Sequence, residues 1–272
     1  MVATSVSLTE SDSRMPADLR DFDGQFWNSK WPDVRCPVCL NSVARPEKDS
    51  IRLHPSAKSD EQGHPAWEPE WIHGVFSGHI RCADSDCNEP VAVAGEYHVS
   101  EAGYNDYRDY IEYSERLTLR SALPALPLCV CPKGTPDAVK DQLDRASAVV
   151  WADPQSGANA LRRAVEALVD AQGISSVVQN RKGFPRQVSL HERIGLLAAN
   201  TPLAAEALEA VKWVGNEGSH AVSIMSATEC VNAAEFLAFA LKVLYDTTEA
   251  DLLAKVRSVN AAKRRPKPPS QP

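Results

Sequence analysis

Three groups of side chains in this sequence have types and spacings that can do chemistry. Cys36-Pro37-Val38-Cys39 and Cys82-x4-Cys87 form two tight cysteine pairs, with residues 40–81 between them. A tetrahedral zinc ion takes four soft ligands, and two short turns can offer it two thiolates each. Four protein ligands close the coordination shell, so Cys36, Cys39, Cys82 and Cys87 are expected to hold one structural Zn2+ per chain. The second group is Trp213-Val214-Gly215-Asn216-Glu217-Gly218-Ser219-His220, where two glycines and an asparagine interrupt an Ala/Leu-rich region of helical period. Such residues predict a break in the backbone, and the break leaves His220 beside a polar turn. Histidine is the residue type that moves protons near neutral pH. The third group is Arg162 and Glu166. At 100° per residue they share the flank beside a core stripe of Leu161, Val165 and Leu168, while Arg163 points away.

Each group also has a plainer reading. The four cysteines could be buried thiols without a metal. Cys129-Val130-Cys131 could replace one pair despite its tight bite, and His79, three residues before Cys82, is a further alternative ligand. Arg162 and Glu166 could be an ordinary surface pair, worth a few tenths of a kcal/mol. Asn216 and His220 could cap and fasten a helix break. If helical geometry instead ran on, Lys212, Asn216 and His220 would form one row at i, i+4 and i+8. That row lies off the stripe Leu203, Ala207, Val211 and Val214, so a pocket on it would need another subunit or the cysteine module.

The elements that must position these residues divide the chain near residue 135. Before it lie most of the Trp, Tyr and Pro and the paired cysteines; after it the sequence is Ala/Leu-rich. Thr135-Pro136, Thr201-Pro202 and the capping boxes Ser189-x-x-Glu192 and Ser226-x-x-Glu229 predict helices over about 136–151, 156–172, 190–199, 202–215 and 227–246. The last has Val231, Ala234, Leu237, Leu241 and Leu244 on one stripe, with Cys230 in or near the core. Ile80–Cys82, Pro90–Val99 and Ile111–Leu119 read as strands. The expected fold is α+β in two domains: a small β-rich, zinc-ribbon-like module over 21–130, then an all-α helical bundle over 135–250. Residues 1–20 and the basic, proline-rich tail 258–272 are expected to be disordered. Trp27, Trp31, Trp67 and Trp71 would supply the core of the small module. Tyr104, Tyr107, Tyr110 and Tyr113 recur among acidic residues, which fits a protein partner or a solvated strand.

With 272 residues, 43% hydrophobic residues and a net charge of -7, the chain can bury a core and has no overall basic field. Seven cysteines, an odd number in tight pairs, fit metal ligands better than a disulfide framework. No signal-like start and no apolar run of about 18 residues is visible. A cytoplasmic protein without membrane association is expected.

Leu161-Arg162-Arg163-Ala164-Val165-Glu166, Leu190-His191-Glu192-Arg193-Ile194 and Lys212–His220 resemble a bacterial DUF4145-like domain of the HEPN superfamily over about 135–248. The cysteine module resembles those fused to such domains. The resemblance implies a dimeric or higher homo-oligomeric helical bundle acting as a metal-independent endoribonuclease, in a toxin or antiphage defence effector whose zinc module senses or recruits a protein partner. A non-catalytic dimeric protein- or nucleotide-binding module is the alternative it implies. Under the first reading His220 would transfer protons, Arg162 or Lys212 would stabilise charge on the RNA phosphate, Asn216 would orient phosphate or histidine, and Glu166 would hold Arg162. Arg181, Lys182 and Arg186 would guide the RNA backbone. Catalytic members carry Arg, four to six residues, then His; before His220 the nearest upstream cation is Lys212, a point charge without the arginine fork.

Overall fold

The computed structural model describes residues 19–60, 64–217 and 225–262. The chain divides into two compact units. The first takes the described residues up to Pro127 with Ser147–Asp153 and Ser226–Thr228; the second takes Leu128–Ala146, Pro154–Met225 and the described residues from Glu229 onward. The expected disordered segments fall outside the described residues over 1–18 and 263–272.

The first unit holds β1 (Phe26–Trp27), β2 (Val34–Arg35), β3 (Val43–Pro46), β4 (Arg52–Pro55), β5 (His73–Cys82), β6 (Pro90–Asn105) and β7 (Tyr110–Leu123). They form one seven-stranded antiparallel sheet in the order β1-β7-β6-β5-β3-β2, with β4 also on β5, and the sheet curls into a half-barrel. Alternation explains its inner face: Val91, Val93 and Tyr97 of β6 are buried with Phe76 and Ile80 of β5 and Leu117 and Leu119 of β7. Register shifts at Ala94/Gly95 and Glu101/Gly103 interrupt the β6–β7 ladder, and such bulges strengthen local twist. At the first, a Cβ on Gly95 would stand 2.0 Å from the Thr118 carbonyl oxygen and 2.7 Å from the Phe76 ring, so only glycine fits there.

This sheet overturns the small zinc-ribbon-like module expected from the sequence. Residues 40–81, read there as an insertion between cysteine pairs, supply β3, β4 and β5 and pair into the main sheet. The unit also has an aromatic cluster in its core. Trp31 meets Phe22, Phe26 and Phe76 edge-to-face at ring separations of 6.5, 5.0 and 5.9 Å. Trp71 is exposed instead, and Trp27 lies under the Arg116 guanidinium, 3.7 Å from its ring centre. The tyrosine run sits at the free end of the β6–β7 hairpin, where Tyr107 is 96% exposed.

The second unit contains α1 (Asp137–Val149), α2 (Pro154–Ala171), β8 (Val177–Gln179), β9 (Pro185–Gln187), α3 (Leu190–Ala198), α4 (Pro202–Glu217), α5 (Ala227–Tyr245) and α6 (Thr248–Ala262). The β8–β9 hairpin means this half is not purely helical, and α6 continues where the sequence pattern gave no further helix. Leu161, Val165 and Leu168 of α2 form the expected stripe, joined by Ile194, Leu197, Leu208, Val211, Val231, Ala234, Leu237 and Leu241. Cys230 is fully buried, its thiol donating to the Pro154 carbonyl at 3.0 Å. On α4 the buried side is turned by one residue from the expected stripe: Ala204, Ala205, Leu208, Val211 and Lys212 are buried while Leu203 is exposed. Among the described residues no helix is long and apolar enough to cross a membrane.

Candidate functional site

The sheet brings the two cysteine pairs together through register. β3 pairs β5 with Ala44 opposite Cys82. The turn from β2 to β3, carrying Cys36 and Cys39, therefore lies beside the turn from β5 to β6, carrying Cys82 and Cys87. In each turn the residue after the second cysteine, Leu40 or Asn88, takes a left-handed conformation (φ 59° and 45°). Backbone bonds fix both loops: Leu40 N–H to the Cys36 carbonyl at 3.1 Å, and Asn88 N–H to the Asp84 carbonyl at 2.7 Å. The sulfurs of Cys36 and Cys87 are 3.8 Å apart and those of Cys39 and Cys82 3.7 Å, with all four within 4.8 Å of one another. A zinc tetrathiolate with Zn–S bonds of about 2.3 Å has S···S edges of about 3.8 Å. The four cysteines can hold a metal ion.

Their protonation chemistry fits a cation. The Asn41 backbone N–H holds the Cys39 thiol down to about 7, whereas burial pushes Cys82 up to about 12. Four clustered sulfurs resist ionising together unless a positive charge sits among them. The alternative ligands are elsewhere. His79 is exposed on β5 and, three residues from Cys82, lies on the opposite face of the strand. Cys129 and Cys131 interact with each other: the bond from Cys131 raises Cys129, and the same bond lowers Cys131.

In the helical unit, α4 runs through Gly215 and Asn216 to Glu217, two residues past the expected end, and the rest of the expected break, from Gly218 to His220, lies outside the described residues. Gly215 serves a close approach. A Cβ there would lie 2.7 Å from Cβ of Arg162 and 3.2 Å from the Ala158 carbonyl oxygen, so α2 packs directly on the α4 backbone. Arg162 is thereby placed against the Gly-Asn segment. It pairs with Glu166 at 3.6 Å, its Nε is buried without a hydrogen-bond partner among the described residues, and a polar depression lined by Ser156, Asn159, Arg162, Arg163 and Glu166 opens beside it. His220 and the Asn216 side chain lie outside what the structure describes.

Lys212 departs most from expectation, being only 5% exposed. Its ammonium donates to Glu209, lies 3.3 Å from Nδ1 of His191 and sits 3.9 Å above the Trp213 ring. Nδ1 of His191 is 3.0 and 3.2 Å from the two Glu209 carboxylate oxygens. A neutral imidazole donating Nδ1–H to Glu209 keeps the Nε2 lone pair, and the His191 side chain is 71% exposed. Burial works to raise the Glu209 carboxyl, but the bonds from Lys212 and His191 outweigh it and hold it below the usual carboxylate range. One turn away, Ser189 and Glu192 complete a capping box, and Glu192 also accepts from Arg186 at 3.0 Å.

Sequence reasoning gave roles to Lys212 and Arg186 but none to His191 or Glu209. A signal for His191 was present: Arg186-Gln187-Val188-Ser189-Leu190-His191 has an arginine, four residues and a histidine, the spacing absent before His220. The partnership of Glu209 with His191 depends on how α3 crosses α4, which no local pattern announces.

Residues 144–262 match the family model described as domain of unknown function DUF4145, and residues 24–119 match the model described as domain of unknown function DUF8608. The resemblance of the helical half to the first family is thus borne out. No curated protein and no solved structure matches the chain.

Proposed function

We propose that the helical unit binds and cleaves RNA without a catalytic metal, and that the sheet unit is a zinc-stabilised partner-sensing module. The observation carrying the first part is the His191–Glu209–Lys212 cluster. Glu209 orients the imidazole, whose outward Nε2 can take a proton from the RNA 2′-hydroxyl as it attacks the adjacent phosphate. The phosphorane that forms gains charge, and Arg186 has the planar fork to bind it once it leaves Glu192. Trp213, 58% exposed beside Lys212, offers a stacking face for a base. Arg162 of α2, packed against Gly215 of α4 and paired with Glu166, forms a second polar feature of the helical unit. Zinc is the metal best suited to four thiolates at these distances, and a thiolate site of this kind fits a reducing cytoplasm. The sheet unit would then couple the nuclease to a trigger, as in a defence effector or toxin.

One observation favours the non-catalytic alternative. Lys212 and Arg162 are each paired with a carboxylate on their own helix, Glu209 and Glu166, which leaves less free positive charge for a phosphate. Incubating end-labelled RNA with the full chain, without added divalent metal, decides between them. Cleavage by the wild type that falls about 100-fold or more in His191→Ala supports the nuclease. Equal cleavage by wild type and His191→Ala rejects this histidine. RNA retained intact but bound by the wild type, and released by Arg186→Ala, points to the binding module.

A further inference from the structure

We infer that Cys129 and Cys131 form an oxidative modification site, a thiol pair that a peroxide joins into an intrachain disulfide at the wall of a cavity in the helical unit. Cys131 lines a cavity of about 570 Å3 together with Lys133, Phe239, Lys242 and Tyr245, between the segment leading into α1 and the end of α5. The cavity gives a small solute a way to a sulfur that is otherwise half-buried. Cys129, also a free and half-buried thiol, stands two residues before it. Two residue steps keep their Cα atoms within about 7 Å, the reach of a disulfide. The chain bends at Leu128 and Cys129, and the two thiols already share a hydrogen bond. The other cysteines are engaged elsewhere: Cys230 donates to the Pro154 carbonyl, and Cys36, Cys39, Cys82 and Cys87 cluster with one another.

The surroundings divide the labour between the two sulfurs. The bond from Cys129 outweighs burial and the Asp144 carboxylate, and with the Lys140 ammonium it holds Cys131 below the ordinary thiol value. The same bond, with burial, pushes Cys129 up, so Cys129 keeps its proton. Cys131 is therefore the nucleophile, as the thiolate is the reactive form. It attacks one peroxide oxygen, the O–O bond breaks, and Cys131 becomes a sulfenic acid while the departing hydroxide takes the Cys129 proton as water. The Cys129 thiolate then attacks the Cys131 sulfur and the S–O bond breaks. The second hydroxide leaves as water, with a solvent proton that replaces the one Cys131 lost on ionising. Two thiols give up two electrons and the peroxide gains them. A low-molecular-weight thiol reverses the bridge by exchange. No step involves His191, so the site holds whether or not the helical unit cleaves RNA.

Hydrogen peroxide added to the full chain, then alkylation and peptide mass spectrometry, tests the pair. The tryptic peptide Ser121–Lys133 contains both cysteines and no other. It is expected to lose two hydrogen atoms and both alkylation sites, at least about tenfold faster than Cys230 is oxidised, and to regain them after dithiothreitol. In Cys129→Ser the reaction should stop at a sulfenic acid on Cys131 that dimedone traps. In Cys131→Ser, Cys129 should stay open to alkylation. The wild-type arm needs no substitution, so it decides whatever either variant does to folding. Wild-type Cys129 and Cys131 that both remain alkylatable after peroxide, or that bridge to other cysteines, overturn the inference. Oxidation of Cys129 that continues in Cys131→Ser overturns the assignment of Cys131 as the nucleophile.

Discussion

At the scale of single residues, Gly215 is where two physical effects compete. Alanine there would gain up to about 1 kcal/mol in helix propensity, but its Cβ would press on Arg162 and the Ala158 carbonyl. Overpacking of this kind costs about 1–3 kcal/mol, so Gly215→Ala is expected to lower stability by about 1 kcal/mol or more, read from urea unfolding. Glu192 gives a pH-dependent case. The Ser189 backbone N–H, the Arg186 guanidinium and the Ser189 hydroxyl hold its carboxyl down at about 2, from an ordinary 4.5. A depressed carboxyl contributes stability that is complete above its unfolded value and lost as pH falls toward its folded one. The wild type should therefore lose this increment between about pH 4.5 and 2, and Glu192→Gln should show a shallower acid limb, measured as the urea midpoint at each pH. The cysteines were legible at this scale because two short spacings leave few other chemistries. Gly215 was not: two glycines and an asparagine signal a break as readily as a tight helix crossing, and only the α2 surface opposite decides.

At the scale of elements, the candidate metal centre is a property of two turns held side by side by the β3–β5 ladder. The left-handed residues Leu40 and Asn88 sit in loops whose four sulfurs lie within 4.8 Å of one another. Cys39→Ser or Cys82→Ser is expected to drop bound metal from about one equivalent per chain to well below it by elemental analysis. Hydrogen exchange should then rise over 36–42 and 82–89 while the β6–β7 ladder stays protected. Retention of a full equivalent by either variant contradicts the four-cysteine site. The helices were readable because long amphipathic periods and proline or serine starts agree with each other. β1 to β4 were missed because strands of two to four residues carry too little alternation to register. Without them the linking segment looked like an insertion and the sheet looked like a ribbon.

At the scale of the whole molecule, a curled sheet with four clustered cysteines and a helical unit with an exposed histidine occur in one chain, each matching its own family model of a domain of unknown function. Composition changes near residue 135, whereas the two compact units part at Pro127 and Leu128, and the reach of each unit was not local information. Unit one also takes Ser147–Asp153 and Ser226–Thr228, segments far away in sequence. The active chemistry proposed for the helical unit has a diagnostic product. Attack by the RNA 2′-hydroxyl leaves a 2′,3′-cyclic phosphate and a 5′-hydroxyl, whereas a metal-activated water leaves a free 3′-hydroxyl and a 5′-phosphate. The most direct measurement is the chemistry of the ends made by the full chain on RNA with no divalent metal added, alongside His191→Ala. Cyclic phosphate ends that vanish in His191→Ala are the expected result; ends bearing 5′-phosphate, or identical products from both proteins, would contradict the account.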